Sequence, residues 1–281
     1  MAFKIEKGVL KKYRAEKGET EVVIPDTVTE IGEKAFKGCE NLTAVTIPDS
    51  VTEIGNWAFY ECSSLKSVTI GNSVSIIYNS AFKRCRSLTE ITLPNSVTQI
   101  CERAFEECTS LTKIVIPDSV ISIGNWSFSH CINLELVTIP DSIANIGWGA
   151  FYWCVTLKEI IIPDLVTSIN ASTFSGCKNL TSVTIPKTVM KIGKYAFWSC
   201  ESLISITIPN SVTTIGEEAF YECKKLTSVT IPDSVTTIGD GAFRKCESLT
   251  SIIVPDSVTE IGANAFDGTK WLEECTDNFV G

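Results

Sequence analysis

The chain has 281 residues, of which 44% are apolar, and a formal net charge of −9. An apolar fraction of this size can bury a substantial core, so the sequence is not that of a disordered protein. The excess of 33 acidic over 24 basic residues argues against nucleic-acid binding and against docking on an anionic membrane. No apolar run approaches the roughly 20 residues of a membrane-spanning helix, so we predict no membrane span.

The N-terminal sequence MAFKIEKGVLKKY lacks the long apolar stretch of a signal peptide, so we predict none, and the compartment stays open on this ground. Apolar residues among the first 24 positions, such as Phe3, Leu10 and Tyr13, are arranged around Gly8. This arrangement is typical of a short hairpin that covers the end of a larger structure. We therefore predict a capping hairpin over residues 1–24.

An internal repeat of 23 residues dominates the rest of the chain. Phenylalanine recurs at this step without an insertion or deletion, at Phe36, Phe59, Phe82, Phe105, Phe128, Phe151, Phe174, Phe197, Phe220, Phe243 and Phe266. Cysteine keeps the same step from Cys39 to Cys246, and all 10 prolines fall on one repeat position. A fixed period of this length is the signature of a solenoid built from stacked units.

The unit from Leu42 to Cys62 reads LTAVTIPDSVTEIGNWAFYEC. Val45 and Ile47 alternate with a threonine, which predicts a short strand with one buried face. The proline that follows cannot donate to a ladder and ends the strand. A second extended segment is predicted to end at Ile54, after which a glycine allows a tight bend. The spacing Ala-Phe-x-x-Cys predicts a short helical or 3₁₀ turn on the opposite flank.

One such unit cannot bury its own apolar row, whereas stacked copies turn each row into a continuous column. We therefore predict a repeat solenoid with parallel short strands, of about eleven units, over residues 25–268. Residues 269–281 are predicted to form a C-terminal cap or tail, in which Trp271 and Leu272 close the last turn. The final segment Asn278–Gly281 is typical of the start of a truncated further module, so we expect the chain to be part of a longer protein.

The run L-x-x-V-T-I-P-D-S-V-T-x-I-G-x-x-A-F-x-x-C resembles the BspA-type leucine-rich repeat over residues 22–268, and the opening residues resemble the N-terminal cap of that family. The resemblance implies a leucine-rich-repeat fold. It also implies an extracellular or surface location, because the family is common on host-associated bacteria and some parasitic protists and is linked there to adhesion and matrix binding. A shared scaffold does not by itself transfer a ligand.

Residues with catalytic or metal-binding potential do not form a recognisable site. The recurring cysteines are 23 residues apart, unlike the close pairs of a zinc site, and stacked thiols with parallel Cβ vectors fit a disulfide torsion poorly. We expect them to be small buried core residues, and expect Cys101 and Cys275, outside that column, to be the most reactive thiols. His130 is the only histidine. We predict no enzyme activity, no bound metal and no cofactor.

Two rows of outward-facing residues on the first strand are one candidate binding surface. The rows run from Ala44 to Ser251 and from Thr46 to Ile253, and small hydroxylated residues dominate both. Threonine suits a plain β-ladder, but solenoids also bind extended partners on such a face.

Large aromatic residues beside the Ala-Phe pair are the other candidate surface. Repeats 5 to 8 contain Trp126, Trp148, Tyr152, Trp153, Tyr195 and Trp198, which stacking would bring to one flank. Aromatic residues are enriched at interface hot spots, although each could instead fold over a neighbouring turn and cover the core edge. We take these six as candidate partner-binding residues. A protein partner or self-association fits them best, and stacking on a glycan is a weaker alternative.

Together these observations predict a non-enzymatic protein-interaction module that is adhesin-like, surface-exposed or secreted, and without a nucleic-acid partner. The alternative is a structural spacer within a longer surface protein.

Overall fold

A computed structural model describes the chain from residue 2 to residue 277, and its side chains from residue 2 to residue 273. The chain forms two compact units, Met1–Ile143 and Ala144–Gly281, and each is a stack of 23-residue repeats. The segment Asn278–Gly281 and the side chain of Cys275 lie outside the described residues. The boundaries proposed at residues 24 and 268 remain predictions.

Unit 1 contains two ladders of short strands, with one strand of each repeat in each ladder. The first ladder consists of the parallel sheet β3 (Glu21–Val23), β5 (Ala44–Thr46), β7 (Ser67–Thr69) and β9 (Glu90–Ile91), and of the pair β11 (Lys113–Val115) and β13 (Leu136–Thr138). The second runs in the order β1 (Ala2–Glu6), β2 (Val9–Arg14), β4 (Glu30–Ile31), β6 (Glu53–Ile54), β8 (Ile76–Ile77), β10 (Gln99–Ile100) and β12 (Ser122–Ile123). Between repeats, residues 23 apart pair in parallel, whereas β1 and β2 form an antiparallel hairpin.

Unit 2 repeats this arrangement and ends in a helix. Its first ladder consists of the pairs β15 (Glu159–Ile161) with β17 (Ser182–Thr184) and β20 (Ser228–Thr230) with β22 (Ser251–Ile253). Its second ladder contains β16 (Ser168–Ile169), β18 (Lys191–Ile192), β19 (Thr214–Ile215), β21 (Thr237–Ile238) and β23 (Glu260–Ile261), and β14 (Asn145–Ile146) precedes them in the chain. Helix α1 spans Lys270–Asp277. No helix within residues 2–277 is long and apolar enough to cross a bilayer.

The proline of each repeat ends the first strand and opens a β-turn, as predicted. Val51 N–H donates to the Pro48 carbonyl oxygen at 3.1 Å, and equivalent bonds recur at the other prolines of the stack. The one repeat without proline keeps the turn, since Val74 N–H donates to the Gly71 carbonyl at 3.3 Å. The turn therefore forms without proline, which stands at its first position and not at one of the two central positions that define the turn.

Hydroxyl side chains link successive repeats beside this turn. Ser50 Oγ donates to the Val28 carbonyl oxygen at 2.7 Å, one repeat earlier, and the same bond is made by Ser96, Ser119, Ser142, Thr188, Ser211, Ser234 and Ser257. Each bond satisfies a carbonyl that would otherwise be half-buried and short of a donor. This explains why the column stays Ser or Thr, and Leu165 interrupts it.

The flank opposite the first ladder is a series of tight turns instead of a regular helix. Two residues in each turn segment have left-handed backbone, such as Trp57 with φ 53° and Glu61 with φ 63°. Between them, Tyr60 N–H bonds within the turn to the Trp57 carbonyl at 3.1 Å, while Phe59 N–H reaches the next repeat and bonds to the Ala81 carbonyl at 2.7 Å. Alternate backbone N–H groups thus donate within the turn and to the next repeat. In a continuous right-handed helix every N–H would donate within the helix.

The phenylalanine and cysteine columns form the centre of each unit. The phenylalanine rings from Phe36 to Phe243 are fully buried, and neighbouring rings within a unit stack with centroids 4.7–5.8 Å apart. The expected burial of the cysteine column is confirmed from Cys62 onward, while Cys39 is half-buried. Cys62 Sγ donates to the Phe36 carbonyl oxygen at 3.1 Å, a bond repeated along the column. The Phe36 carbonyl also accepts from Cys39 N–H at 3.0 Å, so the thiol is its second donor.

The glycine after the second strand has a different role from the predicted one. Gly55 does not have a positive φ, so it is not needed for a left-handed bend. A Cβ at this position would lie 2.7 Å from the carbonyl oxygen of Ile31 in the preceding repeat. The column is therefore mostly glycine because the backbones of successive repeats approach closely.

Candidate partner-binding surface

Five of the six predicted site residues lie on the turn flank of unit 2, and Trp126 lies in unit 1. We call Trp148, Tyr152, Trp153, Tyr195 and Trp198 the aromatic turn cluster. Trp148, Tyr152 and Trp153 lie in one turn segment, and Tyr195 and Trp198 lie two repeats further on. The turn segment between these two carries small residues at the equivalent positions, Ala171, Ser172, Ser175 and Gly176. Backbone bonds hold the three segments in step, because Trp153 N–H donates to the Ser175 carbonyl at 2.8 Å and Gly176 N–H to the Trp198 carbonyl at 2.7 Å.

Trp153 packs over the small turn that follows it. The position of a Cβ on Gly176 would lie 2.8 Å from Trp153 Cδ1, so the indole occupies the space that glycine leaves. Lys178 Nζ lies 5.5 Å from the centre of the Trp153 ring, within the range of a cation–π contact. Ser175 is buried beneath this surface. Much of the Trp153 side chain therefore covers the core edge.

Tyr195 and Trp198 are also held by neighbours in unit 2. Tyr195 Oη donates to Glu217 Oε1 at 3.3 Å, and Lys194 Nζ lies 4.7 Å from the centre of the Tyr195 ring. The Trp198 ring stacks on Tyr221 with a centroid distance of 5.9 Å and an interplanar angle of 2°. Both side chains are half-buried, so each presents one face to solvent.

Trp148 differs from the rest of the cluster because it is 58% exposed. In other repeats its position often carries Asn or Asp, whose side-chain oxygen accepts a backbone N–H from the next repeat. Asn56 Oδ1 accepts from Asn79 at 3.1 Å, and Asp240 Oδ1 accepts from Ala263 at 2.8 Å. An indole has no acceptor to offer in this way. Trp148 thus replaces a stacking contact with a large apolar side chain directed to solvent.

Trp126 lies on the turn flank of unit 1 and is half-buried. Its backbone is left-handed, with φ 56°, as is that of Tyr195 with φ 57°. A bulky residue in this region costs about 1–2 kcal/mol relative to a right-handed conformation. The stacking bonds of the turn offset this cost, and sequence spacing gave no indication of it.

Ion pairs between repeats lie beside the aromatic residues and were not predicted from the sequence. Glu201 accepts from Lys178 at 3.0 Å and from Lys224 at 3.2 Å, and Lys194 pairs with Glu217 at 2.7 Å. The hydrogen bond from Lys178, together with that from Lys224, lowers the pKa of Glu201. Because the paired residues are 23 apart, a search for opposite charges at the repeat distance would have found these pairs.

The outward face of the first ladder, the other predicted candidate surface, carries some exposed apolar residues among its small hydroxylated ones. Val115 and Leu136 are exposed on β11 and β13 of unit 1, and Ile161 is exposed on β15 of unit 2. In unit 1 a shallow cleft lies where the sheet is interrupted between β9 and β11, lined by Glu90, Thr92, Lys113 and Val115. These residues are mixed in character and carry no large aromatic side chain.

His130 and the column thiols make structural contacts. His130 Nδ1 shares a hydrogen bond of 2.9 Å with Ser129 Oγ. Burial raises the pKa of the Cys108 and Cys200 thiols, so these two stay protonated and poorly nucleophilic. Among the residues that the structure describes, no group of three or more His, Cys, Asp or Glu side chains is arranged to hold a metal ion.

Stacked 23-residue units with two parallel ladders and a turn flank define a leucine-rich-repeat protein. The model of the BspA type leucine rich repeat region matches residues 13–135, 98–226 and 144–273, in six copies. The chain therefore belongs to the BspA-type leucine-rich-repeat family, which confirms the resemblance and the predicted fold class.

Solved structures of bacterial leucine-rich-repeat proteins are similar to this chain. One from Bacteroides ovatus is 28% identical, with 97% of this chain and 94% of that one covered and a TM-score of 0.62. A leucine rich cell surface protein from Faecalibacterium prausnitzii is 32% identical, with coverage of 92% and 87% and a TM-score of 0.54. One from Eubacterium ventriosum, 24% identical with coverage of 93% and 88% and a TM-score of 0.59, supports the fold alone. No curated protein sequence matches this chain.

Proposed function

We propose that this protein is a non-enzymatic protein-binding module and that the aromatic turn cluster of unit 2 is its recognition surface, with Trp148 as the anchor. The observation that carries the proposal is the 58% exposure of Trp148, at a repeat position where the other repeats carry no aromatic side chain. Contiguous apolar patches on a protein surface mark contact sites more often than single exposed residues do, and Trp148 belongs to a cluster of aromatic residues. Tryptophan is also enriched among residues that dominate binding energy.

Other members of the aromatic turn cluster support a binding role because their side chains are held in place. Trp153 is held against Gly176, and Trp198 is stacked on Tyr221, so a partner would lose little side-chain entropy in ordering them. Lys–Glu pairs, such as Lys194 with Glu217, supply a polar rim at the edge of the cluster. An apolar centre with a polar rim is the usual arrangement of a protein–protein interface.

A location at the cell surface or outside the cell fits this function. The relative from Faecalibacterium prausnitzii is described as a leucine rich cell surface protein, and this chain is 32% identical to it. We therefore propose an adhesin-like role in which the partner is a host, matrix or neighbouring surface protein. A structural spacer is the competing function, and it requires no partner for residues 2–277.

Affinity capture tests the proposal. The wild-type protein, Trp148→Ser and Trp57→Ser would each be immobilised and exposed to surface and matrix proteins, and the captured protein would be purified and its Kd measured against all three. Trp57 is the matched control, because it is an exposed tryptophan on the turn flank of unit 1. We expect Trp148→Ser to weaken binding by at least about 30-fold, the effect of a hot-spot residue, and Trp57→Ser to leave it unchanged.

The outcomes separate the candidate functions. Equal binding by all three proteins would reject the aromatic turn cluster and favour the outward face of the first ladder. Loss of binding after the partner is deglycosylated would assign recognition to a glycan. Capture of no specific partner by the wild type would favour the spacer.

A further inference from the structure

The last strand of the second ladder in unit 2 has an open edge. Strand β23 pairs with β21 on one side only, and the side chain of Ile261 on it is 53% exposed. One repeat earlier, the Ile238 carbonyl oxygen accepts from Gly262 N–H at 2.8 Å. The equivalent carbonyl of Ile261 has no such donor among residues 2–277. This edge therefore offers an unpaired acceptor beside an exposed aliphatic side chain, which is a template for another strand.

Strand β1 forms an open edge at the start of the second ladder in unit 1. It pairs with β2 alone, and its two large apolar side chains, Phe3 and Ile5, are only half-buried. The Phe3 ring lies 5.4 Å from that of Tyr13, so Phe3 is the outermost ring of the phenylalanine column. Strand β2 runs parallel to the ladder, and β1 runs antiparallel to β2. In a second copy whose second ladder continues that of unit 2, β1 would therefore lie antiparallel to β23.

The two open edges carry opposite charge. The hairpin Ala2–Arg14 contains five basic residues and one acidic residue. Residues 251–272, which surround β23, contain three acidic residues and one basic residue. Among the acidic ones, Asp256 and Glu260 are exposed. Because like charges repel, contacts between two N-terminal edges or between two C-terminal edges are disfavoured, whereas a contact between unlike edges is favoured.

We propose that this protein self-associates head to tail, with strand β1 of one copy added to the open edge of β23 of another. The antiparallel register that places Phe3 opposite Ile261 also places Lys4 opposite Glu260. A register shifted by two residues would place Glu6 opposite Glu260, and like charges directly opposite each other destabilise a strand pair. Lys4 pairs with Glu6 at 3.0 Å in the single copy, and both side chains are exposed. An exposed ion pair of this kind contributes little, so Lys4 exchanges its partner at small cost.

The proposed contact joins two different surfaces, so it is heterologous. A copy bound through its β1 edge still offers its β23 edge to a third copy, and association is not limited to two copies by the contact itself. The edges are short, so we expect the contact to be weak and the single copy to dominate in dilute solution. The aromatic turn cluster takes no part in it, so the inference does not depend on the proposed function.

Sedimentation velocity over a range of protein concentrations tests the contact. The mean mass of the wild type should rise with concentration. Lys4→Glu and Glu260→Lys should each weaken association by at least about tenfold, because each places like charges opposite one another. The double variant should associate like the wild type, since its two reversed charges are again complementary. Glu53→Lys is the matched control, because Glu53 holds the equivalent position on β6, which has a paired strand on both sides. It should leave association unchanged.

An equimolar mixture of Lys4→Glu and Glu260→Lys gives a second measurement. Each joint between the two variants brings opposite charges together, so the mixture should associate although neither variant does alone. Circular dichroism would check the folding of every variant. The proposal is wrong if the wild type stays monomeric up to about 1 mM, where a contact with a Kd of about 1 mM would be detected. It is also wrong if neither the double variant nor the mixture recovers association. Loss of association in Trp148→Ser would contradict it too, by assigning self-association to the aromatic turn cluster.

Discussion

The N-terminal end of unit 1 and the C-terminal end of unit 2 cover their apolar columns in different ways. At the N-terminal end, Leu10 of the hairpin pairs with Ile31 in the second ladder, and the ring centroid of Tyr13 lies 4.9 Å from that of Phe36. The isoleucine column of the second ladder and the phenylalanine column therefore both continue into the hairpin. At the C-terminal end, the ring centroid of Trp271 on α1 lies 5.2 Å from that of Phe266, but the side chain of Ile261 on β23 is 53% exposed. The equivalent Ile238, one repeat earlier, is 1% exposed.

The difference shows what a cap must supply. The hairpin contributes a side chain to each column and a strand to the second ladder, and Lys7 with φ 51° and Gly8 with φ 81° form the tight turn that makes this possible. Helix α1 contributes a single large aromatic residue to the turn flank and no strand to either ladder. A repeat array loses stability at any column left open, because each repeat is stabilised mainly by its neighbours.

The largest effect is expected from removing the cap residue of the phenylalanine column. Tyr13→Ala should reduce the free energy of unfolding by about 3–5 kcal/mol, since it deletes a buried aromatic ring in contact with Phe36. Urea denaturation would measure the loss. Tyr13→Phe is the control, and it should change the free energy of unfolding by less than about 1.5 kcal/mol because it keeps the buried ring. Equal losses in both variants would show that the hydroxyl matters and the ring does not.

Replacing the isoleucine of the second ladder by alanine in two successive repeats compares a buried position with an exposed one. Ile238→Ala should cost about 2–5 kcal/mol, whereas Ile261→Ala should cost less than about 1 kcal/mol because its side chain is largely in water. Thermal unfolding of the two variants beside the wild type would give the difference. A large loss for Ile261→Ala would mean that another part of the chain covers this end in solution.

Removing the aromatic residue of α1 should have an intermediate effect. Trp271→Ala deletes the edge contact with Phe266 from a side chain that is only half-buried, so we expect a loss of about 1–3 kcal/mol. Hydrogen exchange should quicken at Trp271, whose N–H donates to the Leu249 carbonyl at 2.8 Å, and in the last repeat. Trp148→Ala is the control for loss of an indole, and exchange in the last repeat should stay slow in that variant.

The stack was predictable from sequence because each column is determined by its spacing. Val45 alternates with Thr46, a proline follows, and the same pattern recurs every 23 residues, so strands, turns and burial could be inferred together. Helix α1 was not predicted, because its main local signal is Thr269, whose Oγ1 accepts from Leu272 N–H at 3.2 Å. Thr269 stands where the preceding repeats carry cysteine, so the repeat pattern obscures this signal.

The turn flank was less predictable, because the neighbouring repeat decides the outcome there. No local propensity places Trp57 or Glu61 in left-handed backbone, since that conformation follows from the bonds between repeats. The exposure of each aromatic residue also depends on the next turn. Trp153 packs down because Gly176 leaves room for it, while Trp148 stays exposed. A list of aromatic positions in the sequence could not separate these two cases.

The smallest effect concerns alkaline pH and acts at the N-terminal end alone. Burial raises the pKa of Tyr13, and the neighbouring Glu19 raises it further, whereas tyrosine in an unfolded chain has a pKa of about 10. Below that pH both states keep the proton, and Tyr13 adds no pH dependence. Above it the unfolded chain releases the proton while the folded protein retains it, so stability falls as pH rises. By about pH 11 the loss should be on the order of 1 kcal/mol.

Subtracting the Tyr13→Phe variant isolates this contribution, because the two proteins differ only in the Tyr13 hydroxyl. Urea denaturation at about pH 9 and about pH 11 should show a smaller loss for Tyr13→Phe than for the wild type. Parallel curves would mean that Tyr13 is solvated and that the hairpin does not close the phenylalanine column. Hydrogen exchange locates the effect, since protection should fall in β1 and β2 at the higher pH and should fall less in Tyr13→Phe. The C-terminal end has no buried tyrosine, so exchange in β23 should not differ between the two proteins.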